Sequence, residues 1–264
     1  MTNSVSARIN TRSQKWYGWL PDLPDQRDFA YSVIKPRIAK LPSKVDLRKK
    51  CPPIENQGDI GSCTAHALVG ALEFLEIKDG CKYVDLSRLF VYYNERAIEG
   101  TIKQDSGAFL RDGIKSLAKQ GVCPEAAWPY HVKDFPKKPP AKCYAAAKRH
   151  QITSYHRLSS LNEMRTCLAD GYPFVFGFTV YAGFESDEVA KTGVLNMPGP
   201  KEKVQGGHAV MAAGYDDSAK RFIIRNSWDT DWGMKGYFTM PYDYLDPDHN
   251  LADDFWTIRM CEQE

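Results

Sequence analysis

The chain has 264 residues, 43% of them hydrophobic, with 35 basic and 33 acidic side chains and a net charge of +2. That is enough apolar material for one large domain or two intimate lobes. The near-balance of charge excludes a strong nucleic-acid field, and the lack of any apolar run of about 18 residues excludes a spanning helix, so neither nucleic acid nor membrane is expected as a partner.

Residues 1–44 read as a lead segment. Met1 to Asn10 has no apolar signal core, which leaves residence in the cytoplasm or export without a cleaved signal open. The segment then turns aromatic and proline-bearing, with Trp16-Tyr17-Gly18-Trp19-Leu20-Pro21, Phe29 and Tyr31. Disordered chains use fewer aromatics, so the segment is expected to dock on the folded body, either lying over a groove or strapping two lobes together.

A helix is expected from Cys63 to Lys78, with Ser62 as N-cap, Leu68, Ala71, Leu72 and Leu75 on one face, and Gly80 just past its end. A second helix follows Ser87, and a third runs from about Phe109 to Gln120 and stops at Gly121. A proline-rich loop spans Lys133 to Lys142, and Ser160 to Glu163 resembles a capping box that opens a short helix. The second half reads as strands at Phe174–Val180, Ala209–Gly214, Phe222–Arg225, Tyr237–Met240 and Trp256–Met260. A helical half followed by a strand-rich half points to two lobes with a groove between them.

Three stretches carry chemistry: Gln57-Gly58-Asp59-Ile60-Gly61-Ser62-Cys63-Thr64-Ala65, Gly206-Gly207-His208-Ala209-Val210 and Arg225-Asn226-Ser227-Trp228. Together they supply a nucleophile at a helix start, a base, a group to orient the base and an oxyanion donor. His208 follows Cys63 by 145 residues and Asn226 follows it by 163. The first separation lies inside the roughly 130–150 residues typical of papain-like enzymes and the second a little beyond.

These stretches resemble a papain-like cysteine peptidase, and the similarity runs from about Val45 to the C-terminus. The run Asn226-Ser-Trp-Asp-Thr-Asp-Trp-Gly-Met-Lys-Gly-Tyr237 is similar to the family's Asn-Ser-Trp-Gly pattern, with Asp229 in place of a glycine. Around the nucleophile Ile60 replaces the usual first cysteine, so the family's disulfide there is absent, and Thr64 replaces a tryptophan. Those departures resemble the bacterial branch of the family. The resemblance implies an α+β, two-lobe papain-like fold: a helical left lobe over about 45–150, an antiparallel β-barrel-like right lobe over about 151–264, and the active-site groove between them.

It further implies a thiol protease acting on protein or peptide substrates as a monomer, with a zymogen stage and no cofactor. Cys63 would attack as a thiolate, favoured by the helix N-terminus and by the His208 imidazolium. His208 would deliver a proton to the leaving amine, Asn226 would hold its ring, and Trp228 would cover that bond. Gln57 would donate its side-chain amide to the oxyanion beside the Cys63 N–H. His66, one turn along the helix, is a competing base with no evident orienting partner and reads as a packed helix histidine. Gly206 and Gly207 leave room for substrate, Gly107 and Ala108 fall near the edge that pairs with peptide backbone, and Asp254, beside Asp253, falls where the main specificity pocket closes. An acid there would favour a basic or polar residue two places before the cut.

Seven cysteines are present: Cys51, Cys63, Cys81, Cys123, Cys143, Cys167 and Cys261. With Cys63 free, the other six pair in fifteen ways that spacing does not distinguish, and reduced buried thiols are at least as plausible as disulfides. No Cys-x-x-Cys pair or glycine-rich phosphate loop occurs, so no metal site is expected, and Asp246-Pro-Asp-His249 reads as an exposed turn. Rival readings are an acyl transferase and a catalytically quiet binding protein on the same fold. Asn226 and Gln57 argue against the first, and intact polar residues at all four positions argue against the second.

Overall fold

The computed structural model describes residues 17–34 and 40–260. The expectations for Met1 to Asn10, Trp16 and Cys261 lie outside the described residues.

In chain order come β1 (Trp19–Leu20), β2 (Lys44–Asp46), α1 (Cys63–Lys78), α2 (Arg88–Glu99), β3 (Ala108–Phe109), α3 (Leu110–Lys119) and α4 (Ala141–Ala147). The second half holds β4 (Ser154–Arg157), α5 (Leu161–Ala169), β5 (Phe174–Tyr181), α6 (Asp187–Thr192), β6 (Val204–Asp216), β7 (Arg221–Arg225), β8 (Tyr237–Pro241), α7 (Tyr242–Leu245) and β9 (Ala252–Arg259). The strands form an antiparallel sheet in the order β4-β9-β5-β6-β7-β8, with β2 added on β6. Among the described residues the path is open, with β4 and β8 at its ends, so the expected barrel-like lobe is not a closed barrel.

The sheet separates two apolar clusters by the two-residue alternation of strand side chains. Phe174, Phe176, Phe178 and Val180 of β5, with Val210 and Ala212 of β6, point into the core of the strand-rich lobe. Val175, Ala209, Met211 and Ala213 point the other way, onto α1. For that reason α1 is buried from Cys63 through Glu76 on every side, not on the single expected face. It is the shared wall of both lobes, so its N-terminus is fixed against β6.

Two polar devices inside the helical lobe hold α1 in place. Ser87 caps α2 by accepting from the Phe90 N–H at 3.2 Å. Arg88 reaches back to Glu73 of α1 at 2.6 Å, with both side chains buried. Breaking such a pair from one side leaves an uncompensated charge and costs roughly 3–5 kcal/mol.

The expected cap at Ser62 differs in its bonding. Ser62 occupies the N-cap position, but its hydroxyl lies 2.6 Å from the Tyr130 hydroxyl and 3.3 Å from His66 Nδ1 rather than on the helix amides. The capping box at Ser160 is half formed: Ser160 Oγ accepts from the Glu163 N–H, while Glu163 turns its carboxylate to Ser159. Asp246 accepts from the Asp248 N–H and closes the turn over Pro247 to His249.

Candidate active site

Cys63 begins α1, and its sulfur accepts a 3.4 Å hydrogen bond from the amide of Ala209 on β6. The contact follows from the α1–sheet packing, because the residue beside Ala209 is His208. One ring nitrogen of His208, Nε2, lies 2.8 Å from Asn226 Oδ1. Asn226 sits just past the end of β7, pinned by its N–H to the Gly236 carbonyl at 2.9 Å. Trp228 stacks on the His208 ring with centroids 5.0 Å apart and planes at 24°. Phe184 and Trp232 pack on Trp228 in turn and extend the aromatic cover. His208, Asn226 and Cys63 are all buried.

Gln57 is brought to the same end of α1. Its N–H and Oε1 are both held by Ser227, through the Ser227 carbonyl at 3.0 Å and the Ser227 hydroxyl at 2.7 Å. Its Nε2 donates to the Ile60 carbonyl at 3.0 Å. The Tyr130 hydroxyl donates to the Gln57 carbonyl at 2.8 Å and touches Ser62, which ties the Gln57 turn to the start of α1. Ser227 and Tyr130 were not singled out from the sequence. Ser227 lies inside the Asn226–Trp228 motif, which was the available signal, whereas nothing local marks Tyr130.

His66 also lies near the helix start but is engaged by Ser62 and Tyr130. Its Nδ1 meets Ser62, and its ring packs edge-on against Tyr130. Burial, with help from Arg88, pushes its pKa down to about 3, so it stays neutral.

The lead segment occupies the groove directly over these residues. β1 pairs in parallel with β3, matching Trp19 to Ala108, and the Ala108 N–H donates to the Gly18 carbonyl at 2.7 Å. The approach is so close that a Cβ on Gly107 would stand 2.1 Å from the Gly18 oxygen, and one on Gly18 would stand 1.8 Å from the Gly61 oxygen. Glycine at both positions admits the chain. Tyr17 lies edge-on to His208 with centroids 6.0 Å apart, and its hydroxyl donates to Glu185 at 2.6 Å. It covers Gly206, while Trp19 covers Gly207 and Gly177. Gly107, Ala108, Gly206 and Gly207 are thus all in contact with the chain's own lead segment.

Asp254 is fully buried. Its Oδ2 accepts from the Trp19 indole at 3.0 Å and from the Asp22 N–H at 2.8 Å, and its Oδ1 accepts from Arg157 at 3.0 Å. Burial and then the neighbouring Asp22 raise its pKa. Asp253 is the exposed member, paired with Arg157 at 2.8 Å.

Burial also acts on Cys63, the candidate nucleophile. The sequence points to a thiolate, but burial pushes the Cys63 thiol up to about 11. The amides of Ala209, Gly18 and Thr64 pull it down by less than burial raises it, and the nearby Glu95 carboxyl adds to the rise. A dry site without solvent disfavours the charged form. Among the described residues no group of three or more His, Cys, Asp or Glu is placed to hold a metal ion, and no helix is long and apolar enough to cross a membrane.

A two-lobe fold with a buried cysteine at a helix start, a histidine on the facing sheet and an asparagine just past a strand of that sheet defines the papain-like class. The family model for papain family cysteine proteases matches residues 41–247, and the chain belongs to that family, a family of hydrolases. The chain is 44% identical to xylellain, a cysteine protease from Xylella fastidiosa, whose structure superposes with a TM-score of 0.86 over 97% of this chain and 100% of that one. It is 40% identical to an uncharacterised peptidase C1-like protein of Acanthamoeba polyphaga mimivirus, over 92% of this chain and 86% of that protein. It is 31% identical to procathepsin L of Felis catus over 79% of this chain, and spans 63% of that precursor's length.

Proposed function

We propose that the chain is a cysteine endopeptidase in which Cys63 attacks a peptide carbonyl. The thiol proton passes to His208 and from there to the leaving amine. The sulfur forms a thioester with the acyl half of the substrate, and water deprotonated by His208 hydrolyses it. The Gln57 amide swings from the Ile60 carbonyl to the developing oxyanion, where it acts with the Cys63 N–H. Asn226 fixes the His208 ring without adding charge. The observation that carries this reading is the single line from the Cys63 sulfur through the strand bearing His208 to Asn226 Oδ1.

The same proposal divides the lead segment by role. Tyr17 to Leu20 act as the restraint, since they sit on the residues that would receive substrate. Asp22 to Tyr31 act as the strap. Asp22 accepts from the Trp256 indole of β9 and the Arg111 N–H of α3. Asp28 bridges Arg111 of α3 and Arg157 of β4. Tyr31 is buried in the core of the strand-rich lobe and donates to Asp170.

The test is pre-steady-state hydrolysis of an activated ester by a chain lacking the residues before Pro21. A burst equal to the enzyme concentration, with an acyl adduct on the Cys63 peptide and neither in Cys63→Ala, supports the mechanism. A burst that survives Cys63→Ala removes it.

A further inference from the structure

One hydroxyl joins the two segments that carry the candidate oxyanion donors, the Gln57 amide and the Cys63 N–H. It belongs to Tyr130, on the loop between α3 and α4, whose N–H is held by the Glu125 carboxylate. Tyr130 Oη donates to the Gln57 carbonyl at 2.8 Å and lies 2.6 Å from Ser62 Oγ. Ser62 immediately precedes Cys63. Its carbonyl and the Cys63 N–H therefore belong to one planar peptide unit, and whatever holds the first aims the second. The Ser62 carbonyl is held twice by His66, from the backbone N–H at 3.1 Å and from ring Nδ1 at 3.0 Å.

The direction of each bond follows from what the groups can do. A carbonyl only accepts, so the single Tyr130 proton lies on the Gln57 carbonyl, and Ser62 gives its hydroxyl proton to Tyr130. For the same reason His66 carries its ring proton on Nδ1, facing the Ser62 carbonyl. The His66 ring stands edge-on to Tyr130, with centroids 5.1 Å apart and planes at 82°. A line of donors thus runs from His66 through Ser62 and Tyr130 to Gln57.

We infer that Tyr130 is a positioning residue for the oxyanion site, its hydroxyl setting the spacing between the Gln57 amide and the Cys63 N–H. The inference rests on the reading of Cys63 as nucleophile and Gln57 as oxyanion donor. Tyr130 itself touches no reacting atom and acts through Gln57 and Ser62. Two donors stabilise one oxyanion only if both stand about 2.7–3.1 Å from the place it will occupy. Loss of the hydroxyl frees the Gln57 turn from the start of α1, and a misplacement of about 1 Å can cost about 100-fold in rate.

Two reagents applied to the full chain separate this role from a general loss of structure. Acylation of Cys63 by p-nitrophenyl acetate passes through a tetrahedral oxyanion, the acyl group moving to sulfur as nitrophenolate leaves. Alkylation by iodoacetamide displaces iodide at carbon and forms no oxyanion. Both need the same thiol and the same opening of the lead segment, so the ratio of the two rates, read by mass on the Cys63 peptide, reports the oxyanion site. In Tyr130→Phe the acylation rate is expected to fall by about 10- to 100-fold while alkylation stays within about twofold. Ser62→Ala leaves the Tyr130–Gln57 bond in place, so a smaller fall of the same selectivity is expected, and this variant decides if Tyr130→Phe does not fold. In a Gln57→Ala chain, Tyr130→Phe is expected to add little, because one of the two donors it aligns is already gone. Equal falls in both rates, an unchanged ratio, or full additivity with Gln57→Ala overturns the inference. A parent chain alkylated but never acylated at Cys63 would instead remove the reading of Cys63 as the nucleophile, and the inference with it.

Discussion

The indole N–H of Trp19 donates to Oδ2 of Asp254 at 3.0 Å, which places a side chain of the lead segment against the acid expected to close the specificity pocket. Trp19 stands where a substrate side chain is proposed to stand. Its removal would leave Asp254 facing the groove with Arg157 on its other oxygen. Once residues before Pro21 are removed, fluorogenic dipeptides with Arg two places before the cut are expected to turn over faster than those with Leu. Asp254→Leu is expected to reverse the order. Equal or Leu-favoured turnover by the unsubstituted truncated chain would assign the pocket a different chemistry.

Gln57 is held at both ends of its amide, by Ser227 and by the Ile60 carbonyl. Gln57→Ala is expected to lower kcat by about 10²–10³ with little change in KM, the effect of losing one oxyanion donor. Steady-state kinetics of the truncated enzyme measure this, and a change confined to KM would place Gln57 in ground-state binding instead.

The pH dependence of thiol reactivity follows from the cover. In the covered chain burial pushes the Cys63 thiol up to about 11 from an ordinary value of 9.0. The covered state therefore holds its proton more tightly than an open or unfolded chain. That contribution to its stability is complete below the ordinary value and is lost as pH rises through the raised one. Alkylation of Cys63 by iodoacetamide in the full chain is expected to stay slow up to pH 9 and climb above it. A rate already at its plateau at neutral pH would mean the thiol is ionised beneath the cover.

Asp28 joins the lobes through Arg111 at 2.7 Å and Arg157 at 3.3 Å. Asp28→Ala leaves two guanidinium groups short of an acceptor and is expected to cost about 2 kcal/mol of stability. Urea denaturation reads this as a lower midpoint with an unchanged slope. An unaltered midpoint would confine the strap to Asp22 and Tyr31.

The elements written most plainly in the chain are those with local signals. α1 runs from Cys63 to Lys78 as its flanking Ser62 and Gly80 indicate, and β5, β7 and β8 match their β-branched and aromatic runs to within a residue. β6 begins at Val204, five residues before the expected start, because Gln205, Gly206 and Gly207 carry no strand signal and are drawn in by pairing with β5. β4 was not anticipated at all: Ser154-Tyr-His-Arg157 lacks alternation and is a strand only because β9 pairs with it. Three linear motifs sufficed to name Cys63, His208, Asn226 and Gln57 together. They could not indicate that Asp22 meets Trp256, or that Tyr130 meets Gln57, since such contacts join distant positions with no shared period.

The relation between the lead segment and Cys63 is tested most directly by comparing alkylation rates at neutral pH in the full chain and in a chain beginning at Pro21. The shortened chain keeps Asp22, Asp28 and Tyr31, so its melting is expected to change little. Its Cys63 is expected to react at least about tenfold faster, equivalent to 1.4 kcal/mol or more of lost protection. Equal rates in the two chains, with melting unchanged, would contradict the account.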